Sequence, residues 1–102
     1  MALSGGSAVG NSVYQTSATA GSGTFTIQMT ASQECVIHNL MWAGACTITI
    51  TDGTNAVVFF TASTAGYLAN IQIHIVATSY YLIMTDTSGS TNNMSVNGIR
   101  TV

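Results

Sequence analysis

Charged side chains are almost absent from this chain. Only 4% of its residues are Asp, Glu, Lys or Arg, whereas an ordinary soluble domain has roughly 25%. Hydrophobic residues make up 47%, and the net charge of -2 supplies little repulsion between copies. High hydrophobicity with low charge also excludes an intrinsically disordered chain. The composition therefore predicts a folded domain that functions within an assembly.

The shortage of basic residues and of long apolar runs excludes two classes of partner. Arg100 is the one basic side chain, so the chain cannot neutralise a phosphate backbone and no nucleic-acid partner is expected. No apolar run approaches the ~20 residues of a spanning helix, so no membrane partner is expected either. Residues 1–10 lack the basic and apolar regions of a secretory signal, which predicts synthesis in a cytoplasm.

Groups suited to acid–base, nucleophilic or metal chemistry are also scarce. They are Glu34, Asp52, Asp86, His38, His74, Cys35 and Cys46. No local nucleophile signature and no paired metal-ligand spacing connects them. A disulfide between the two cysteines is disfavoured, because a hairpin around Gly44 leaves them several residues apart along the ladder. The sequence therefore predicts a protein that is not an enzyme and has no cofactor or metal.

The clearest pattern in the chain is a β-hairpin from Cys46 to Thr61, CTITITDGTNAVVFFT. Ile and Thr alternate through its first half, as in a strand with one buried face. Residues 52–55 are typical of a turn. The second half is continuously apolar, which predicts a strand that needs cover on both faces.

The register of this hairpin depends on the length of its turn. A two- or four-residue turn pairs Ile50 with Val57 and Ile48 with Phe59. A three-residue turn instead pairs Ile48 with Val58. Both registers leave apolar side chains on the second face of the returning strand.

A second strand with two apolar faces is predicted from Cys35 to Trp42. Strict alternation places His38, Leu40 and Trp42 on one face. Since this strand and the hairpin both need cover on two sides, we expect them to contribute to a subunit interface. The predicted interface residues are His38, Leu40, Trp42, Val57 and Phe59.

Seven to nine short strands follow one another at roughly 8–12-residue spacing, with no helical period. Turn residues separate them, and Asn97-Gly98 in the last strand marks a bulge or a tight turn. The spacing predicts an all-β fold, an antiparallel β-sandwich of which the jelly roll is one form. Proline is absent, so a common blocker of exposed strand edges is missing. Residues 1–11 are predicted to be a flexible N-terminal arm and residues 12–102 a single domain.

About the last sixty residues resemble small virion proteins of tailed bacteriophages. The resemblance lies in an order of segments: DGTN, then AVVFFTAS (Ala56–Ser63), AGYL (Ala65–Leu68) and SYYLIMTDTSGSTNNMSVNGIRTV (Ser79–Val102). It implies a capsid decoration, or cement, protein on the virion surface. The implied partners are the major capsid protein and further copies of the chain, with a trimer favoured. It implies no catalytic residues.

Two other functions remain open from the sequence. One is a carbohydrate-binding module, in which aromatic side chains would stack on sugar rings. Its candidate residues are Trp42, Tyr80, Tyr81, Asp52 and Asn55. The other is a tail or fibre component of the virion.

Overall fold

Short runs of alternating apolar and polar residues fold here as β-strands. A computed structural model describes residues 3–19, 21–77 and 79–102, and these form ten strands and no helix. The strands are β1 (Ser4–Gly5), β2 (Ser12–Thr19), β3 (Thr24–Ile27), β4 (Glu34–Trp42), β5 (Cys46–Thr51), β6 (Ala56–Ala62), β7 (Gly66–Leu68), β8 (Ile73–Val76), β9 (Tyr81–Asp86) and β10 (Asn92–Arg100). The predicted all-β class is confirmed. Within these ranges no helix is long and apolar enough to cross a membrane.

The strands form two antiparallel sheets. One has the order β1-β2-β10-β4-β7, with β8 also paired to β4, and the other has the order β3-β9-β5-β6. Because β7 and β8 pair with successive parts of β4, they act as one interrupted edge strand. If β1 is omitted and β7 and β8 are counted as one strand, eight strands remain, numbered here along the chain. Their order is then first, eighth, third, sixth in the larger sheet and second, seventh, fourth, fifth in the smaller one. This is the strand order of a jelly roll.

The core lies between the two sheets and is built from their inward-facing alternate residues. Its fully buried apolar side chains include Val13, Ile27, Ile37, Leu40, Ile48, Ile75, Leu82, Met84 and Val96. Burial of each such side chain stabilises the fold by about 1.5–3 kcal/mol. Alternate residues in and just after β3, Phe25, Ile27 and Met29, are buried in the same core.

The described part of the predicted N-terminal arm packs against the domain. Leu3 is buried, and its N–H donates to the carbonyl of Gln28 at 2.8 Å. β1 then pairs with β2, and the Arg100 guanidinium donates to the carbonyl of Gly6 at 3.0 Å. Within this segment Ser4 and Gly5 therefore extend the larger sheet, while residues 1 and 2 lie outside the described residues.

The hairpin of β5 and β6 is confirmed, and its register combines a four-residue turn with a bulge. Ile50 pairs with Val57, as that turn length predicts. Ile48 then pairs with Phe60, so both sequence-predicted partners of Ile48 are wrong. The register shifts because Phe59 is an extra residue with no partner in β5.

The prediction that His38, Leu40 and Trp42 share one face is also wrong. β4 contains a bulge at His38, because Asn39 pairs with Asn97 whereas Ile37 pairs with Gly98. The extra residue reverses the alternation, so Leu40 and Trp42 face the core on the same side as Ile37. The two apolar faces seen in the sequence are therefore one inward face interrupted by a bulge.

Gly98 allows this bulge through close approach of two backbones. A Cβ atom at this position would lie 2.1 Å from the Val36 carbonyl oxygen and 2.9 Å from Ile37 Cα. Beside it, the Asn39 amide donates to Asn97 Oδ1 at 2.7 Å. Of the two structures predicted for Asn97-Gly98, a bulge is observed in the ladder at this position, but its extra residue, His38, lies in the partner strand β4.

Candidate assembly surface

The turn of the β5–β6 hairpin is fixed by its own side chains. Asp52 Oδ1 accepts hydrogen bonds from the N–H groups of Thr54 at 2.8 Å and Asn55 at 2.7 Å. The Thr51 hydroxyl donates to the Asn55 carbonyl and accepts from the Gly53 N–H, both at 2.9 Å. The N–H groups of Asn55 and Thr54 lower the pKa of Asp52. This bonding defines where β6 begins.

β6 is an edge strand with three consecutive exposed apolar side chains. Val57 is 61% exposed, Val58 56% and Phe59 39%. Among the described strands, β6 pairs only with β5, so its other backbone edge faces outward. It carries no proline and no charge, two of the features that usually block edge pairing. At residues 57–59, both faces and the free edge of this strand are therefore open to a partner.

The five sequence-predicted interface residues divide between core and surface. Val57 and Phe59 are exposed on β6, as described above. Leu40 is fully buried and Trp42 is 5% exposed, so neither presents a surface for another chain. His38 is partly buried at the β4 bulge, where its Nδ1 lies 3.2 Å from the Ile71 carbonyl oxygen. The structure thus brings together only the hairpin part of the predicted set.

Trp42 is a core residue that joins the two sheets. Its ring lies 5.4 Å from that of Phe60, at an interplanar angle of 48°. Its Nε1–H donates to the Thr64 carbonyl at 2.9 Å. The ring face and the polar edge are therefore both occupied within the chain.

The candidate sugar platform is not assembled around Trp42. Tyr81 pairs with Thr51 at the turn end of β5, whereas Trp42 contacts Phe60, which pairs with Ile48. Three residues of strand separate Ile48 from Thr51, or about 10 Å. Asp52 and Asn55 hydrogen-bond to one another in the turn, as given above, and Tyr80 is exposed.

All four charged side chains are engaged within the chain. Asp52 lies in the turn, and Glu34 Oε1 is 2.6 Å from His74 Nε2. Arg100 donates from Nη1 to Gly6, as described above, and from Nε to the Val102 carbonyl at 3.0 Å. Asp86 is buried. The outer surface therefore offers little charge with which to select a charged partner or repel another copy.

At one end of the sandwich, Asp86 joins Ser22, Ser88 and Asn92 through hydrogen bonds, and we call this cluster the Asp86 clamp. The sequence did not predict it. The Asp86 carboxylate accepts from the Ser88 hydroxyl at 2.6 Å, from the Ser88 N–H and the Ser22 N–H, each at 3.0 Å, and from the Asn92 amide at 3.1 Å. The hydrogen bond from the Ser88 hydroxyl, with the other three, holds the pKa of Asp86 well below its usual range. The Asp-Thr-Ser sequence, typical of a local side-chain turn, was the available signal.

Asn92 extends this clamp to a third loop. It is fully buried, and its Oδ1 accepts from the N–H groups of Ala43 at 3.2 Å and Gly44 at 2.9 Å. Its amide also donates to the carbonyls of Gly44 and Ala45 at 3.0 Å. Through Asp86 and Asn92, three loops are held together without a metal ligand set or a reactive group.

A second surface that the sequence did not predict lies on the outer face of the larger sheet. Exposed side chains of Tyr14, Met41, Tyr67 and Ile99 occur on four of its strands. A shallow groove of about 530 Å³ crosses one end of this face, lined by residues of β2, by Met41 and Trp42 of β4, and by Asn93, Met94 and Ser95 of β10. Polar residues such as Asn97 and Ser95 separate the apolar ones, so this face is mixed rather than continuously apolar.

Both cysteines are free and buried, in agreement with the disfavoured disulfide. Burial raises the pKa of the Cys35 thiol to about 11. Burial, and next the negative charge of Asp86, raise the pKa of Cys46. Thiols in this state are poor nucleophiles. Within the described ranges, no three His, Cys, Asp or Glu side chains are grouped as a metal site would require.

Comparison with known proteins adds no relative to this picture. No protein-family model matches the chain, and no curated protein matches it significantly.

Proposed function

We propose that this protein is a non-enzymatic structural component of a phage virion, a decoration protein that binds the outer capsid surface. The observation that carries the proposal is the run of exposed Val57, Val58 and Phe59 on a neutral edge strand. Monomeric domains normally protect such edges. A protein that functions inside a larger assembly instead has them covered by its neighbours.

The near absence of free charge supports the same proposal. Colloidal stability of a free domain depends on surface charge. In this chain the few charged side chains form hydrogen bonds or an ion pair with other groups of the same chain. A jelly roll is used in viral capsids and also in lectins, so the fold agrees with the proposal but does not select it. The choice of virion protein comes from the resemblance of the last sixty residues.

Shell stabilisation would follow from binding alone. A protein that binds the assembled shell more tightly than its separated subunits stabilises the shell by mass action. The partners in this proposal are the major capsid protein and further copies of the chain, as a homo-oligomer for which the resemblance favours a trimer. The site of action is the virion surface, after synthesis in the host cytoplasm.

Co-sedimentation with shells tests the proposal. Capsids assembled without this protein are mixed with increasing amounts of it and pelleted, and their heat stability is recorded. We expect saturable binding and a higher temperature of shell disruption. A chain that stays in the supernatant as a monomer at every concentration would contradict the proposal. A tail or fibre component would instead pellet only with complete, tailed particles.

A further inference from the structure

The exposed residues of β6 are consecutive, and this limits the kind of partner that can cover them. Val57 pairs with Ile50 and Val58 with Thr49, so the two Val side chains point to opposite faces of the sheet. A partner packed on one face would leave the other Val in water. A strand added along the edge continues both faces at once and also pairs the open backbone groups.

The mixed outer face of the larger sheet does not require a partner that covers two faces of one strand. Its exposed apolar residues are separated by polar ones, and scattered apolar residues are ordinary on a protein surface. Three consecutive exposed apolar residues on a strand edge are not ordinary unless they have a function. The edge of β6 is therefore the stronger candidate for a contact.

We propose that β6 pairs antiparallel, edge to edge, with β6 of a second copy of this chain. The two four-stranded sheets then form one continuous eight-stranded sheet across a two-fold axis. This inference names a self-association contact and rests on the premise of the proposed function that the chain assembles with itself. A two-fold contact cannot close a trimer, so it would join copies in addition to any three-fold contact. Such a contact is isologous, so the same strand supplies both sides.

The chemistry of the strand fits a second copy. Residues 56–62 carry no charge, so two copies meet without repulsion between like charges. The strand equally lacks a charge that would attract an oppositely charged edge on another protein. Small residues at its ends, Ala56 and Ala62, frame the large ones in its middle, and an antiparallel self-pairing preserves this arrangement.

The available area predicts a weak contact. The exposed part of each of these side chains is on the order of 100 Å², so two copies bring together roughly 600 Å² of apolar side chain, which is below the roughly 1,200 Å² of the smallest standard-size interfaces. The bulge at Phe59 shortens the regular part of the edge. We therefore expect dissociation constants in the micromolar range. On a shell, several such contacts would act together, and their avidity would exceed that of one contact.

Sedimentation of the full chain, compared with Val58→Lys, tests the contact. We expect a monomer–dimer equilibrium in the wild type between about 1 and about 200 μM. Association should be at least about tenfold weaker in the variant, because each copy then brings an ammonium group to the shared edge. Val9→Lys is the matched control, since Val9 is similarly exposed but lies outside the strands. It should associate as the wild type does.

Hydrogen exchange on the wild type gives a second readout that does not depend on a variant folding. Amide groups of residues 56–62 should gain protection as concentration rises, while those of residues 9–11 should not. A chain that stays monomeric throughout this range would overturn the inference. A dimer or trimer that is insensitive to Val58→Lys and leaves hydrogen exchange in β6 unchanged would also overturn the inference. That result would still allow the proposed function. The proposed function fails separately, if shells do not bind the protein.

Discussion

Replacement of Gly98 by Ala tests the bulge that turns Leu40 and Trp42 into the core. The added methyl group would lie 2.1 Å from the Val36 carbonyl oxygen and 2.9 Å from Ile37 Cα. Both contacts are with backbone, so no side-chain rotation relieves them. Overpacking usually costs 1–3 kcal/mol, and we expect the upper end, about 3 kcal/mol. That is a large part of the roughly 5–15 kcal/mol that stabilises a domain.

Chemical and thermal unfolding measure this effect. A loss of about 3 kcal/mol should lower the Tm by roughly 12–24 °C in a domain of this size. Gly44→Ala is the matched control, because its Cβ would meet Ser88 Cβ at 3.4 Å, an ordinary contact. The control should be neutral or slightly stabilising, since Ala restricts the unfolded chain. If Gly98→Ala unfolds within about 0.5 kcal/mol of the wild type, the account of the bulge is incorrect.

Three further predictions concern the buried groups. Trp42→Ala should lower the free energy of unfolding by about 3–5 kcal/mol. Trp42→Phe should cost less, about 1–3 kcal/mol, for the lost hydrogen bond and the smaller ring. A stable Trp42→Ala variant that lost only glycan binding would instead favour the sugar-binding alternative. The folded-state pKa of Asp86 is lowered, so its carboxylate stabilises the fold fully above its unfolded pKa of about 3.9, and this contribution is lost as pH falls through the folded pKa. The stability difference between wild type and Asp86→Asn, measured by denaturant titration, should be constant from about pH 7 to 5 and shrink below about pH 4; a difference that does not vary with pH would refute the role of the charge. Iodoacetamide at about pH 8 should label Cys35 and Cys46 only after unfolding, as mass spectrometry would show, and rapid labelling of the native protein would contradict their burial.

The local features of the fold could be predicted from the sequence because neighbouring residues determine them. Alternating Ile and Thr in β5, followed by Asp52-Gly53-Thr54-Asn55, were enough to identify the hairpin, and the pairing of Ile50 with Val57 was one of the two registers they left open. Regular strand spacing without helical period was enough for the all-β class. These signals depend on residues only a few positions apart.

The faces of β4 could not be predicted because they depend on a distant strand. Gly98 was recognised as a bulge candidate, but its effect on β4 requires knowing that β10 lies beside β4. A period of two was therefore continued through His38, and it placed Trp42 on the wrong face. The prediction that Val57 and Phe59 lie on the surface used the hairpin alone and did not depend on this step, and both side chains are exposed. The prediction for Leu40 and Trp42 did depend on it, and both are buried.

The Asp86 clamp was missed for a similar reason. Its partner Ser22 lies 64 residues earlier, in the β2–β3 loop, and only the pairing of β3 with β9 brings the two together. The sequence showed a polar loop beginning at Asp86. It did not show that this carboxylate would be buried, because burial of a charged group depends on how many donors surround it.

The central claim is that the chain binds the outside of a capsid. Electron microscopy of purified virions tests this claim most directly. Particles containing the protein and particles lacking it are imaged, and their difference density is calculated. The account predicts density the size of this jelly roll at regular positions on the outer shell, with β6 against a neighbouring chain. Particles with no difference on the shell, or with the protein only at the tail, would contradict it.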